Sequence, residues 1–104
     1  MALEITDTSI DEVLSQNEFT VIDFWADWCG PCKMLGPVIE QLSIENTDVA
    51  IGKLDVMGNN SSAQKYMITG IPCIVFFKNG QEVERVKGVL SKSALQAKIN
   101  GLKN

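Results

Sequence analysis

Apolar residues change their period several times along this chain, and each change marks an element. Phe19 to Ala26 (Phe-Thr-Val-Ile-Asp-Phe-Trp-Ala) is β-branched and aromatic and nearly continuous in hydrophobicity, which predicts a strand covered on both faces. Val49 to Val56 is a second such run, carrying Lys53 and Asp55. Between them Leu35, Val38, Ile39 and Leu42 recur at helical spacing, and Pro37 inside that pattern predicts a kink. Ahead of the first run, Leu3-Ile5 suits a short strand. Thr8, Ser9, Asp11 and Glu12 then crowd a helix start, with Ile10, Val13 and Leu14 on one face. Beyond Val56, Asn60 to Met67 reads as a short helix ended by Thr69-Gly70, and Cys73 to Phe77 as a strand. Asn79-Gly80 is a type I′ hairpin signal, since both central residues of that turn need positive φ. Glu82 to Val86 alternates polar and apolar like an edge strand. Leu95, Ile99 and Leu102 mark a last amphipathic helix beginning near Ser91.

The order is β-α-β-α-β-α-β-β-α. Helices alternating with buried strands, then a hairpin, predict an α/β sandwich with a mixed sheet covered on both faces. With 104 residues and no linker, repeat or break in composition, the chain is expected to form one domain over residues 1–104. A chain this long removes roughly 60–70% of its unfolded surface from water, enough for a core without staples. No apolar run approaches the roughly 20 residues of a membrane helix. The start, Met1-Ala2-Leu3-Glu4, has neither a basic n-region nor an apolar h-region, which points to a cytoplasmic chain. Thirteen acidic against nine basic residues give a net charge of −4, which disfavours a nucleic-acid partner. Nothing demands more than a monomer.

There are no histidines, so Cys-His catalysis, Cys₂His₂ zinc and imidazole acid–base chemistry are all excluded. Two of the three cysteines form the run Trp28-Cys29-Gly30-Pro31-Cys32. A Cys₄ zinc site needs a second pair, and only Cys73 remains. Inert core thiols fit poorly with Gly-Pro in a strand-to-helix turn. The pair follows a strand and opens a helix, where Pro31 suits the first turn and the unpaired N–H groups favour an anion. For Cys29 that anion is thiolate, the reactive form. Cys32 lies one turn in, on the same side. A disulfide between them closes a very small loop and adds little stability, so it suits being made and broken. Asp23 interrupts a buried strand and is either a solvated strand-end residue or a costly buried carboxylate. Lys53, mid-strand, reads on its own as a snorkelling lysine, and Trp28 is packing or recognition. Cys73, next to Pro72, is a small buried residue or a tuner of the pair.

The run Asp23-Phe24-Trp25-Ala26-Asp27-Trp28-Cys29-Gly30-Pro31-Cys32-Lys33 resembles the active-site signature of the thioredoxin family. Gly70-Ile71-Pro72, Phe77-Lys78-Asn79-Gly80 and Val86-Lys87-Gly88 resemble it further on, so that the likeness spans essentially the whole chain in order. The resemblance implies the thioredoxin fold, a central mixed five-stranded sheet flanked by four helices, and protein-disulfide reductase activity. It implies that Cys29 attacks a client disulfide and Cys32 resolves the mixed disulfide, with Asp23 buried behind Cys32 relaying its proton. Lys53 would sit close to Asp23, and Gly30 and Pro31 would support the pair. The Ile71–Pro72 bond would be cis and face the cysteines. Trp28, Gly70, Ile71, Pro72, Gly88 and Val89 would form a shallow apolar client surface, with the Ile71 backbone pairing an extended client strand. A thioredoxin reductase would re-reduce the Cys29–Cys32 disulfide, and no cofactor beyond that disulfide is implied. Cys73 departs from the family pattern, where threonine is common after the proline. An oxidase or isomerase on the same fold fits less well with Gly-Pro between the cysteines and no histidine. A redox-independent binding module is the reading of another class, and binding that survives loss of both cysteines would mark it.

Overall fold

The computed structural model describes residues 1–104. Its elements are β1 (Leu3–Ile5), α1 (Ile10–Gln16), β2 (Phe19–Trp25), α2 (Gly30–Glu45), β3 (Ala50–Asp55), α3 (Asn60–Lys65), β4 (Cys73–Lys78), β5 (Gln81–Lys87) and α4 (Lys92–Leu102). The strands form one sheet in the order β1-β3-β2-β4-β5. The pairs β1–β3 and β2–β3 are parallel, and β2–β4 and β4–β5 antiparallel. The expected α/β sandwich with five strands and four helices is therefore observed.

Alternation along the strands divides the core between the two faces. Val21, Ile51, Ile74 and Phe76 pack with Leu35, Ile39 and Leu42 of α2 and Leu95, Ile99 and Leu102 of α4. Ile22, Phe24, Leu54, Cys73, Val75 and Phe77 point the other way, onto Ile10 and Leu14 of α1 and partly buried Tyr66 and Ile68 beyond α3. With β2 central and covered on both sides, its run of apolar residues has no solvent face. Pro37 lies inside α2, which continues through it.

Two details depart from simple periodicity. α3 stops at Lys65 rather than Met67, because Met67 takes a left-handed conformation with φ +51°. Asn79 and Gly80 both have positive φ, as the type I′ turn requires, but the β5 they open is not a regular alternating strand. Phe77 pairs with Glu82 and Phe76 with Glu84, so Val83 is an extra residue and β5 bulges there. The bulge puts Glu82 and Arg85, three apart in sequence, on the same face; in an unbroken strand they would oppose each other.

Candidate active site

The ends of three elements converge on the cysteine pair. β2 delivers the chain to Ala26, and Cys29 N-caps α2. Gly30 and Pro31, both exposed, form the first turn of the helix. Pro31 has no N–H to lose there, which lets the turn close directly after the cap. The two cysteines are disulfide-bonded with a Cα–Cα separation of 5.2 Å. The Cys32 N–H donates to Cys29 Sγ at 3.2 Å, which is the bond an anion at a helix N-terminus receives. Both sulfurs are nearly buried, packed with Ala26, Trp25, Val56 and Ile71.

The Ile71–Pro72 peptide is cis. The Ile71 carbonyl lies 4.0 Å from Cys29 Sγ, although 42 residues separate them in sequence. Neither the N–H nor the carbonyl of Ile71 has a backbone partner. Trp28, Gly70 and Ile71 line a groove of about 440 Å³ together with Val56, Met57 and Ile68. Trp28 is 67% exposed and Met57 62%. Pro72, Gly88 and Val89 are not part of that groove's lining; the Gly88 N–H donates to the Pro72 carbonyl at 2.9 Å. Gly88 has φ +88°, a conformation that glycine adopts without steric cost.

Asp23 is completely buried, and neither of its carboxylate oxygens has a hydrogen-bond partner. Alternation along β2 turns it, like Val21, to the α2 side, beneath the helix that carries Cys32. Burial raises its pKa from 3.8 to about 7, and the positive charge of Lys53 opposes that rise. Lys53 is its register partner on β3, so the two side chains share a face. The ammonium lies 4.5 Å from the centre of the Trp25 ring. That ring, which the sequence alone did not single out, holds the lysine by a cation–π contact. Met57 and Ile68 of the groove were also not singled out, because they meet Trp28 only through the fold. Cys73 pairs with Phe24 and points to the α1 face, opposite to Asp23, and its buried thiol has a raised pKa. Cys73 is a small buried residue of β4.

No cluster of metal-ligating side chains is present, and no helix is long and apolar enough to cross a membrane. The thioredoxin family model matches residues 1–101. The chain belongs to the thioredoxin family. A thioredoxin of Mycobacterium tuberculosis is 42% identical over 100 residues, covering 94% of this chain and 86% of the relative. The bifunctional thioredoxin reductase/thioredoxin of Mycobacterium leprae is 41% identical over 97 residues, 91% of this chain and 21% of that longer protein. Among solved structures, a single-site mutant of a thioredoxin from Halobacterium salinarum NRC-1 superposes with a TM-score of 0.92 at 41% identity. The match covers 99% of this chain and 91% of that one. The fold is thus the thioredoxin fold, and the activity is that of the family, dithiol–disulfide exchange through a cysteine pair that is itself the redox group.

Proposed function

We propose that this thioredoxin-family protein, as a single domain over residues 1–104, reduces disulfides of client proteins with Cys29 as nucleophile and Cys32 as resolving thiol. The observation that carries the assignment of roles is the position of Cys29 at the α2 N-terminus, its sulfur receiving the Cys32 N–H, while Cys32 lies one turn inside the helix that covers the Asp23 face of the sheet. The Cys29 thiolate attacks one sulfur of the client disulfide; a Cys29–client disulfide forms and the other client sulfur leaves as thiolate. Cys32 then gives its proton to the Asp23 carboxylate and attacks Cys29 Sγ. This forms the Cys29–Cys32 disulfide and releases the second client thiolate. The client gains two electrons and the protein loses two. A carboxylate with pKa about 7 is matched to this transfer near neutral pH, where it is poised between its two forms. Lys53 limits the rise caused by burial and Trp25 holds Lys53 in place.

The client lies along Ile71, whose free backbone groups support pairing with an extended strand, with Trp28, Gly70, Pro72, Gly88 and Val89 around it and Gly30 and Pro31 shaping the turn. A thioredoxin reductase re-reduces the pair, a partnership supported by the relative that carries both names on one chain. The protein works in the cytoplasm as a monomer.

Mixing each of two variants with a disulfide-bonded client tests the roles. Cys32→Ser should accumulate a covalent, dithiothreitol-sensitive complex, and Cys29→Ser should neither trap nor reduce. A Cys29→Ser variant that still reduced clients, beside a Cys32→Ser variant that trapped nothing, would reverse the assignment. A reduction potential at or below the cytosolic glutathione poise is expected, and one near that of periplasmic oxidants would overturn the direction of electron flow.

A further inference from the structure

The segment from Tyr66 to Pro72 carries the backbone that faces Cys29, yet it belongs to no helix or strand. Within it Thr69, Gly70 and Ile71 have no backbone hydrogen bond. What holds it is its two ends. At the near end α3 closes with Met67 N–H donating to the Gln64 carbonyl (3.1 Å) and Ile68 N–H to the Ala63 carbonyl (2.9 Å). This is a Schellman closure, and its left-handed position is ordinarily glycine. Here Met67 occupies it at φ +51°, a conformation that a side chain disfavours. The closure still leaves the Tyr66 and Met67 carbonyls to find donors.

Both carbonyls accept from Arg85, Tyr66 at 2.8 Å from one terminal nitrogen and Met67 at 3.4 Å from the other. Arg85 is itself fixed by a two-pronged pair with Glu82, 2.6 Å from Nε and 2.7 Å from one terminal nitrogen. A guanidinium serves this purpose better than an ammonium, because one planar fork meets a carboxylate on one edge and carbonyls on the other. The pair exists because of the bulge at Val83, which brings Glu82 to the same face as Arg85. Further along the same strand Lys87 reaches Thr69 Oγ1 (3.5 Å), and Gly88 N–H holds the Pro72 carbonyl. β5 and the glycine that follows it therefore hold the segment at its two ends.

We propose that Arg85, held by Glu82, is a positioning residue for client recognition: it fixes the end of α3 and with it the Ile68–Pro72 backbone on which a client docks. The inference rests on the reading that clients pair along Ile71. The hydrogen bonds of Arg85 go to Glu82, Tyr66 and Met67 and none to Cys29 or Cys32, so its loss should weaken docking and leave thiol chemistry intact.

Single-turnover reduction of insulin by the fully reduced protein separates these, because the half-saturating insulin concentration reports docking and the limiting rate reports exchange. Arg85→Gln is expected to raise the half-saturating concentration about threefold or more, with the limiting rate and the rate toward a small aryl disulfide kept within about twofold. Arg85→Lys, which keeps the charge but loses the fork, should shift it in the same direction by less and stands in should the glutamine variant fold poorly. Adding Met67→Gly to Arg85→Gln relieves the left-handed residue and should recover much of the loss. An unchanged half-saturation, or equal losses toward insulin and the aryl disulfide, would overturn the proposal. Trp28→Ala is the control: if it raises the half-saturation and Arg85→Gln does not, the role of Arg85 fails alone. If neither variant moves it, the docking reading fails with it.

Discussion

Asp23 is costly to ionise, a carboxylate under α2 with no hydrogen-bond donor on either oxygen. Its pKa is raised by burial from 3.8 to about 7, so between those values the folded chain keeps a proton that the unfolded chain has released. Stability therefore falls as pH rises through this window and levels off above about 7. Asp23→Asn removes the ionisation, and should stabilise the oxidised protein by about 2–4 kcal/mol at pH 8 while changing little at pH 4. Urea unfolding at the two pH values checks this; an equal effect at both would mean that Asp23 is not the titrating group. The same variant should slow resolution of the mixed disulfide and remove the titration near neutrality from its pH profile. A stabilising substitution that costs activity is what a strained functional residue produces. Sequence alone left Asp23 between solvated and buried, since an aspartate near a strand end is compatible with either; the covering helix α2 decides it.

The elements differ in how far local rules govern them. Asn79-Gly80 supplies two positive φ values in adjacent residues, and the hairpin turn follows from that chemistry alone. Ser91 at the start of α4 accepts the Ala94 N–H at 3.2 Å, a local cap legible from the chain. The bulge in β5 is not legible, because an alternating run carries no mark of which residue is the extra one until it pairs with β4. β1 has only three residues, and its attachment to β3 depends on close approach. A Cβ on Gly52 would fall 2.5 Å from Ile5 Cδ1 and 2.9 Å from the Leu3 carbonyl. Gly52→Ala should therefore lower stability by about 1–3 kcal/mol, read as a lower urea midpoint. Gly101→Ala, at an exposed position of α4 with open space around its Cβ, should lower nothing. Equal midpoints for the two variants would show that β1 can move away without cost. Surface ion pairs such as Lys65–Asp11 and Lys92–Glu45 add little, being exposed and screened.

At the scale of the whole molecule, stability and function are set in different places. β2 and β4 lie inside the sheet, paired on both edges and covered on both faces, whereas Thr69, Gly70 and Ile71 have no backbone partners. Native-state hydrogen exchange should find the slowest amides in β2 and β4, opening only with global unfolding, and the fastest non-terminal amides at residues 69–71. Slow exchange at Ile71 in the free protein would mean that its N–H is already paired and unavailable to a client strand.

The chain by itself determined the order of elements, the two-sided burial of β2, the hairpin turn and the cysteine pair at the start of a helix. Each of these depends on residues within one or two turns of each other, where periodicity, capping and turn chemistry act directly. Ile71 and Pro72 entered as site residues through their likeness to a family, not through any local rule. Only the tertiary structure decided that the Ile71 carbonyl meets Cys29, that Trp25 holds Lys53, that Met57 and Ile68 join Trp28 in one groove, and that Arg85 closes α3. These contacts join residues 18 to 42 positions apart. Local preference does not act over that distance; strand order, register and a single bulge bring the partners together.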